Sequence, residues 1–367
     1  MKYIIDKKIS SPAYLQLYRQ MREDIVNGIY PYGSKLPSKR NVAYDLGVST
    51  ITVEHAYALL CDEGYIETKE RSGYFVIFRT DDGFVSAKTE TLNFSGIHHS
   101  NASPDFPISV LTKTMRKVIS DYGEAILERT PNSGSEELRN AIKQYLARSR
   151  GINADTEQII IGSGSEYLYS LILELLGRNK KYALEFPSYK KIEQVYKATD
   201  VNYEMLTLGK DGIESEKLKE SNADVLHISP YRSFPSGVTA TASKRHEYLR
   251  WAKGEKYIVE DDFESEFSVS KKHEETLFSL TENNNVIYMN TFSKTISPSL
   301  RIGYMVLPKK LVKAFYEELG FYSCTVPTFM QYVLAQLIAN GDFERHINRV
   351  RRKKRKELQN YISSKEA

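Results

Sequence analysis

The sequence predicts an α/β chain in two parts: a winged helix-turn-helix at the N-terminus, then a larger unit built on a mostly parallel sheet. Three observations predict it. At 367 residues the chain is too long for one small core. Up to residue 62, apolar residues recur at helical spacing in three runs, punctuated by hydroxyl caps, proline and glycine. From about residue 93, helical patterns alternate with short apolar runs, which argues for strands covered by helices.

The elements follow in order. "PAYLQLYRQMREDIVNG" puts Leu15, Tyr18, Met21, Ile25 and Val26 on one helical face, and Gly28 ends the run. "YPYGSKLPS" is turn chemistry. "SKRNVAYDLG" gives a short helix with Ser38 as N-cap, Val42 and Leu46 on the inner face, and Gly47 in the turn beyond. "STITVEHAYALLCDEG" begins with another capping hydroxyl and carries Val53, Ala56, Tyr57 and Leu60 at helical spacing. "YIETKERSGYFVIF" reads as two strands joined at "ERSG", the wing. The winged helix spans residues 1–78, and the polar stretch 79–92 is a linker. In 93–367, the strands are expected in "QIIIGSGS", "KYALEF", "DVLHIS", "KYIVEDDF", "NVIYMNTFS" and "RIGYMVL". Helices are expected in "EELRNAIKQYLARSR" and "SEYLYSLILELLG".

Bulk composition narrows the class. A net charge of +4 is too small to mark a nucleic-acid binder by itself. Cys61 and Cys324 are far apart, so neither a disulfide framework nor a metal-spacing pair is expected, and a reducing cytoplasm fits. The N-terminus lacks the apolar core of a signal peptide, and no run is long enough to span a bilayer.

The chemistry-bearing residues fall at expected strand ends, where open sheets of this kind collect ligands. "GSGSEY" offers Ser163, Gly164 and Ser165 at a helix start, where backbone N–H groups approach a phosphate. "EFPSY" places Tyr189 where an aromatic can cover a ring. "IVEDDF" puts Asp261 where a carboxylate can pair with a protonated ring nitrogen. "FSKTISPSLRIGY" supplies Lys294 for a Schiff base, with Ser293 and Arg301 for a phosphate. Schiff-base chemistry needs the free amine, so burial and nearby cations are expected to depress the pKa of Lys294. An aldehyde, a pyridine ring and a phosphate are together pyridoxal phosphate. Metal ligation is not expected.

The first 75 or so residues resemble the N-terminal domain of GntR-type bacterial regulators, through L-P-S-x-R at Leu36, L-G-V-S-x-x-T-V at Leu46 and E-G-Y-I at Glu63. The series G-S-G-S, P-S-Y, D-D-F, S-K and R-I-G-Y resembles fold-type I aminotransferases. The spacing S-K-x-x-x-P-x-L-R-x-G-Y is similar to the aminotransferase-like domains fused behind such winged helices, the MocR family, which includes the GabR and PdxR regulators. The resemblance implies a PLP-dependent transferase-like domain whose small C-terminal part is truncated, since the chain stops 73 residues past Lys294. For DNA it implies contacts from Ser49, Thr50 and Thr52 on the recognition helix, Lys39 and Arg40 on the helix before it, and Lys69 and Arg71 on the wing.

Departures from the family pattern bear on function. Thr50 and Glu54 stand where relatives often carry arginine. Phe263 replaces a tyrosine that would bond the cofactor's phenolic oxygen. Arg232 and Ser233 replace a His–Gln pair. Lys190 or Lys191 stands in for an arginine that binds a substrate carboxylate. The resemblance implies a cytoplasmic homodimeric transcription regulator that binds a DNA operator and senses pyridoxal phosphate, or an amine or amino-acid effector reacting with it. The alternatives are an active pyridoxal-phosphate aminotransferase, and a degenerate dimerisation domain without cofactor.

Overall fold

The computed structural model describes residues 3–6, 10–70, 72–79, 106–262, 265–268, 275–281 and 285–366. The chain divides into two units, residues 1–98 and 99–367. The expected linker lies outside the described residues from position 80 onward.

In the N-terminal unit α1 (Ala13–Val26), α2 (Lys39–Leu46) and α3 (Thr50–Asp62) precede an antiparallel wing, β1 (Ile66–Lys69) and β2 (Gly73–Val76). Both expected hydroxyl caps form. Ser38 Oγ accepts the Asn41 N–H at 3.2 Å, and Ser49 Oγ accepts the Thr52 N–H at 3.1 Å. Gly47 closes α2 at φ +61, where a side chain would be strained. Val53, Ala56, Tyr57 and Leu60 are buried as their spacing predicts. Two details differ from expectation. The buried row of α1 is Leu17, Tyr18, Met21 and Ile25, with Leu15 and Val26 half-buried at its margin. In α2, Ala43 joins Val42 in the core, while Leu46 is half-buried. In both helices more apolar residues are available than one face can cover, and spacing alone does not select among them.

The larger unit runs α4 (Ile108–Tyr122), α5 (Glu136–Arg150), β3 (Ile159–Gly162), α6 (Ser165–Leu176), β4 (Tyr182–Phe186), α7 (Lys190–Ala198), β5 (Tyr203–Gly209) and β6 (Gly212–Ile213). It continues with α8 (Ser215–Glu220), β7 (Val225–Ile228), α9 (Ala242–Trp251), β8 (Tyr257–Asp261), α10 (Leu277–Leu280), β9 (Val286–Thr291), β10 (Gly303–Val306), α11 (Lys309–Ala314), α12 (Thr328–Ala339) and α13 (Asp342–Glu366). The sheet order is β3-β10-β9-β8-β7-β4-β5-β6. β9, β8, β7, β4 and β5 are parallel, β10 runs against both β9 and β3, and β6 runs against β5. All six expected strands and both expected helices are present; β5 and β6 were not expected.

Alternate side chains enter opposite cores, because a strand presents successive residues to opposite faces. Ile160, Leu184, Val259 and Met289 pack with α6 and α7. Ile159, Ile161, Tyr288, Tyr304 and Val306 pack with α5 and α12. Covering both faces explains why β3 reads as an unbroken apolar run. Each such buried side chain stabilises the fold by about 2 kcal/mol relative to leaving it exposed.

Candidate functional site

Strand direction gathers the candidate residues at one edge of the sheet. β4, β8 and β9 are parallel, so Tyr189, Asp261, Ser293 and Lys294 close or follow their C-terminal ends. β10 is antiparallel, so Arg301, which precedes it, reaches the same edge. β3 delivers the Ser163–Gly164 turn beside it, with Gly162 opposite Gly303.

Glycine is required in that turn. Gly164 has φ +97, and a Cβ there would lie 2.7 Å from Arg301 Nη2. The Ser163 N–H donates to Thr325 Oγ1 at 3.1 Å and the Gly164 N–H to Gly162 O at 2.9 Å. The turn is thus tied to its own surroundings, and α6 starts at Ser165 with the positive end of its dipole against Arg301. The helix start and the Arg301 guanidinium put positive charge at this point. A side-chain carboxylate meets it. Glu166 Oε2 meets Arg301 Nη2 at 2.5 Å, and its Oε1 meets Lys191 Nζ at 3.0 Å. Burial opposes this charge, but hydrogen bonds from Arg301 and Lys191 hold the carboxyl down to about 2. Lys191 is therefore committed to Glu166. Lys190 instead lines a cavity of about 390 Å³ with Phe186, Tyr189, Met205 and Phe234. Tyr189 meets the Phe234 ring edge-on, with centroids 6.2 Å apart.

The three acids at the end of β8 separate by strand alternation. Glu260 accepts the N–H groups of Leu277 at 2.7 Å and Phe278 at 2.9 Å, and so caps α10. Asp262 lies 3.1 Å from Arg150 Nη2 and accepts the Tyr288 hydroxyl at 2.7 Å. Asp261 turns towards α6, where the Tyr169 hydroxyl donates to its Oδ2 at 2.5 Å. Burial first, and then the charge of Asp261, raises the Tyr169 phenol well above its usual range, so it stays a donor. His227 Nε2 lies 3.7 Å from the same oxygen and has no hydrogen-bond partner, while its Nδ1 meets the Tyr196 hydroxyl at 2.9 Å. Asp261 is thus buried, held by the Tyr169 hydroxyl of α6, with the His227 ring of β7 close by.

Lys294 is exposed in the turn after β9, beside half-buried Ser293, so the burial expected at this lysine is absent because the turn lies at the surface. Buried Phe292 and Ile296 bracket this turn, and the Ile296 N–H closes it on Phe292 O at 2.9 Å. Arg232 is exposed at φ +53 in the loop after β7, and neighbouring Ser233 is buried with its hydroxyl donating to Glu185. Phe263 lies outside the described residues.

Glu166, Tyr169, His227 and Glu185 were not singled out from sequence. The signal for two of them is register. His227 pairs with Val259, so it shares a sheet face with Asp261 two residues on. Tyr169 lies one helical turn after Ser165.

The residues expected to meet DNA lie on α2, α3 and the wing. Ser49, Thr50 and Arg40 are exposed. Ser49 and Thr52 hydroxyls bond each other at 2.9 Å. Lys39 pairs with Glu54 at 2.9 Å and lies 5.8 Å from the centroid of the Tyr74 ring. Lys69 pairs with Glu67 at 3.2 Å and lies over Phe75. Arg71 lies outside the described residues.

Residues 13–76 match the gntR family of bacterial regulatory proteins, and residues 99–364 match aminotransferase class I and II. The chain is similar to the uncharacterized HTH-type transcriptional regulator YdeL of Bacillus subtilis, 35% identical over 96% of this chain and 79% of that one. It is also similar to the HTH-type pyridoxine biosynthesis transcriptional regulator PdxR of Corynebacterium glutamicum, 27% identical over 92% of this chain and 75% of that one. Among solved structures, the kynurenine aminotransferase of Pyrococcus horikoshii, in complex with PMP, superposes with a TM-score of 0.60 at 27% identity, covering 67% of this chain. The present chain spans 64% of that enzyme's length.

Proposed function

Because the chain belongs to the aminotransferase class I and II family, with a GntR-family domain in front, we propose that it is a DNA-binding transcription regulator whose larger unit binds pyridoxal phosphate. The observation that carries this reading is the pairing of two binding elements along α6. Its N-terminus meets Arg301 across Gly164, and its Tyr169 holds the buried Asp261. These fit a ligand with an anionic tail and a protonated ring nitrogen. Arg301, Ser163, Gly164, Ser165 and Ser293 would hold the phosphate, Asp261 would keep the proton on the ring nitrogen, and Tyr189 would cover the ring. Lys294 would supply the amine for covalent attachment. Bound pyridoxal phosphate contributes an aldehyde that condenses with amines and a ring that withdraws electrons.

As a sensor, the protein responds to the cofactor, or to an amine or amino acid that takes the place of Lys294. Such a ligand shifts the winged helices between two arrangements only by its differential affinity for them. We infer a homodimer that reads paired half-sites in the cytoplasm. Among the described residues no helix is long and apolar enough to cross a membrane.

The test is an absorption spectrum of the purified protein titrated with pyridoxal phosphate, repeated for Lys294→Ala. A visible band that forms in the wild type and is lost in the variant supports the reading. No band in either chain leaves a DNA-binding protein with a dimerisation domain. Turnover of an amino donor with a keto acceptor would instead make the chain an enzyme.

A further inference from the structure

We propose that Glu166 sets the affinity of the cofactor site for phosphate: its carboxylate holds Arg301 and must release it before a phosphate monoester binds. The inference rests on the cofactor reading above and deepens it. Arg301 Nη2 is 2.5 Å from Glu166 Oε2, and the same guanidinium fills the space above Gly164 at the start of α6. A phosphate arriving at this point therefore meets a resident carboxylate, and only one of them can take this face of the guanidinium. Two features make Glu166 a displaceable occupant. Its second oxygen is bonded to Lys191 at 3.0 Å, so the carboxylate keeps one cation when it leaves the other. All three side chains are partly exposed, so the Glu166–Arg301 pair is of the modest strength usual for solvated ion pairs and yields to a dianion. Hydrogen bonds from Arg301 and Lys191 hold the Glu166 carboxyl down to about 2, so it competes as a carboxylate at neutral pH. A resident competitor of this kind lowers the affinity for phosphate, so occupancy follows the free cofactor over a higher concentration range.

An alternative role for Glu166 is purely structural, as an acidic residue in the first turn of α6 favoured by the helix dipole. The two roles separate in one experiment. Pyridoxal phosphate and pyridoxal, which lacks the phosphate, are each titrated into wild type, Glu166→Gln and Glu166→Asp, and the visible band is read. Glu166→Gln is expected to tighten pyridoxal phosphate by about tenfold, through loss of the competing pair and of the like charge, and to leave pyridoxal unchanged. Glu166→Asp keeps the charge at the helix start but shortens its reach, so it tightens pyridoxal phosphate less, in the same direction. This second variant decides the matter if Glu166→Gln fails to fold. Equal changes for both aldehydes, or weaker binding of pyridoxal phosphate by the variants, overturns the inference while leaving the cofactor reading intact. Absence of a band in the wild type with either aldehyde overturns the cofactor reading, and this inference with it.

Discussion

Glu185, next to last in β4, has its carboxyl buried, and the Ser233 hydroxyl and the Ser229 backbone reach it. Burial raises its pKa to about 8, against the help of those bonds. Its folded-state pKa therefore lies above the unfolded one, so the native chain binds the proton more tightly. Stability from this group is fully present below the ordinary carboxyl range and is lost as pH rises towards 8. Glu185→Gln removes that dependence, on the order of 3 kcal/mol across the window. Urea denaturation at several pH values checks this. The variant should lose less stability than the wild type between pH 5 and 8, and part of the slope remains because buried Glu260 is raised to about 7. Equal slopes would mean that Glu185 ionises freely in the fold. The sequence made the strand-end placement of Lys294, Arg301, Asp261 and Gly164 legible, because each lies in a short chain-local signature. It was silent on Glu166, Tyr169, His227 and Glu185. Their roles come from partners 25 to 135 residues away in sequence, such as Lys191 and Arg301 for Glu166, and no periodicity encodes those pairs.

Among the elements, α2 and α3 carry most of the residues expected to face DNA, and the charge there is partly cancelled from within. Glu54 on α3 pairs with Lys39 at the start of α2, and Glu67 pairs with Lys69 on the wing. Residues 1–80 hold eleven Lys/Arg against nine Asp/Glu, so each cation removed from phosphate contact matters. Glu54→Gln frees Lys39, and the slope of log K against log salt for DNA binding should then steepen by about one unit. Filter binding or fluorescence anisotropy across a salt series measures it; an unchanged slope would show that Lys39 does not reach a phosphate. The three helices, the wing and the six apolar strands were readable because helical spacing and buried runs are strong local signals. β5 and β6 were missed for a physical reason. Tyr203–Gly209 lies next to the sheet edge, with most of its residues only half-buried, so it lacks the continuous apolar run that marks a strand covered on both faces.

Across the whole molecule, the GntR-type unit and the aminotransferase-like unit are each recognisable alone, and the proposal joins them through a ligand. The sheet order explains how residues from distant parts of the chain converge. Parallel strands put their C-terminal ends at one edge, and the reversed β10 brings Arg301 to that same edge. That convergence was anticipated from the motif order, whereas the pairing of Glu166 with Arg301 was not. On the reading proposed above, Lys294 carries the covalent link to pyridoxal phosphate. The most direct measurement is borohydride reduction of the protein mixed with pyridoxal phosphate, followed by proteolysis and mass spectrometry. A phosphopyridoxyl adduct is expected on the peptide containing Lys294, with other lysines modified only at background level. Adducts scattered over surface lysines, with none enriched at Lys294, would contradict it.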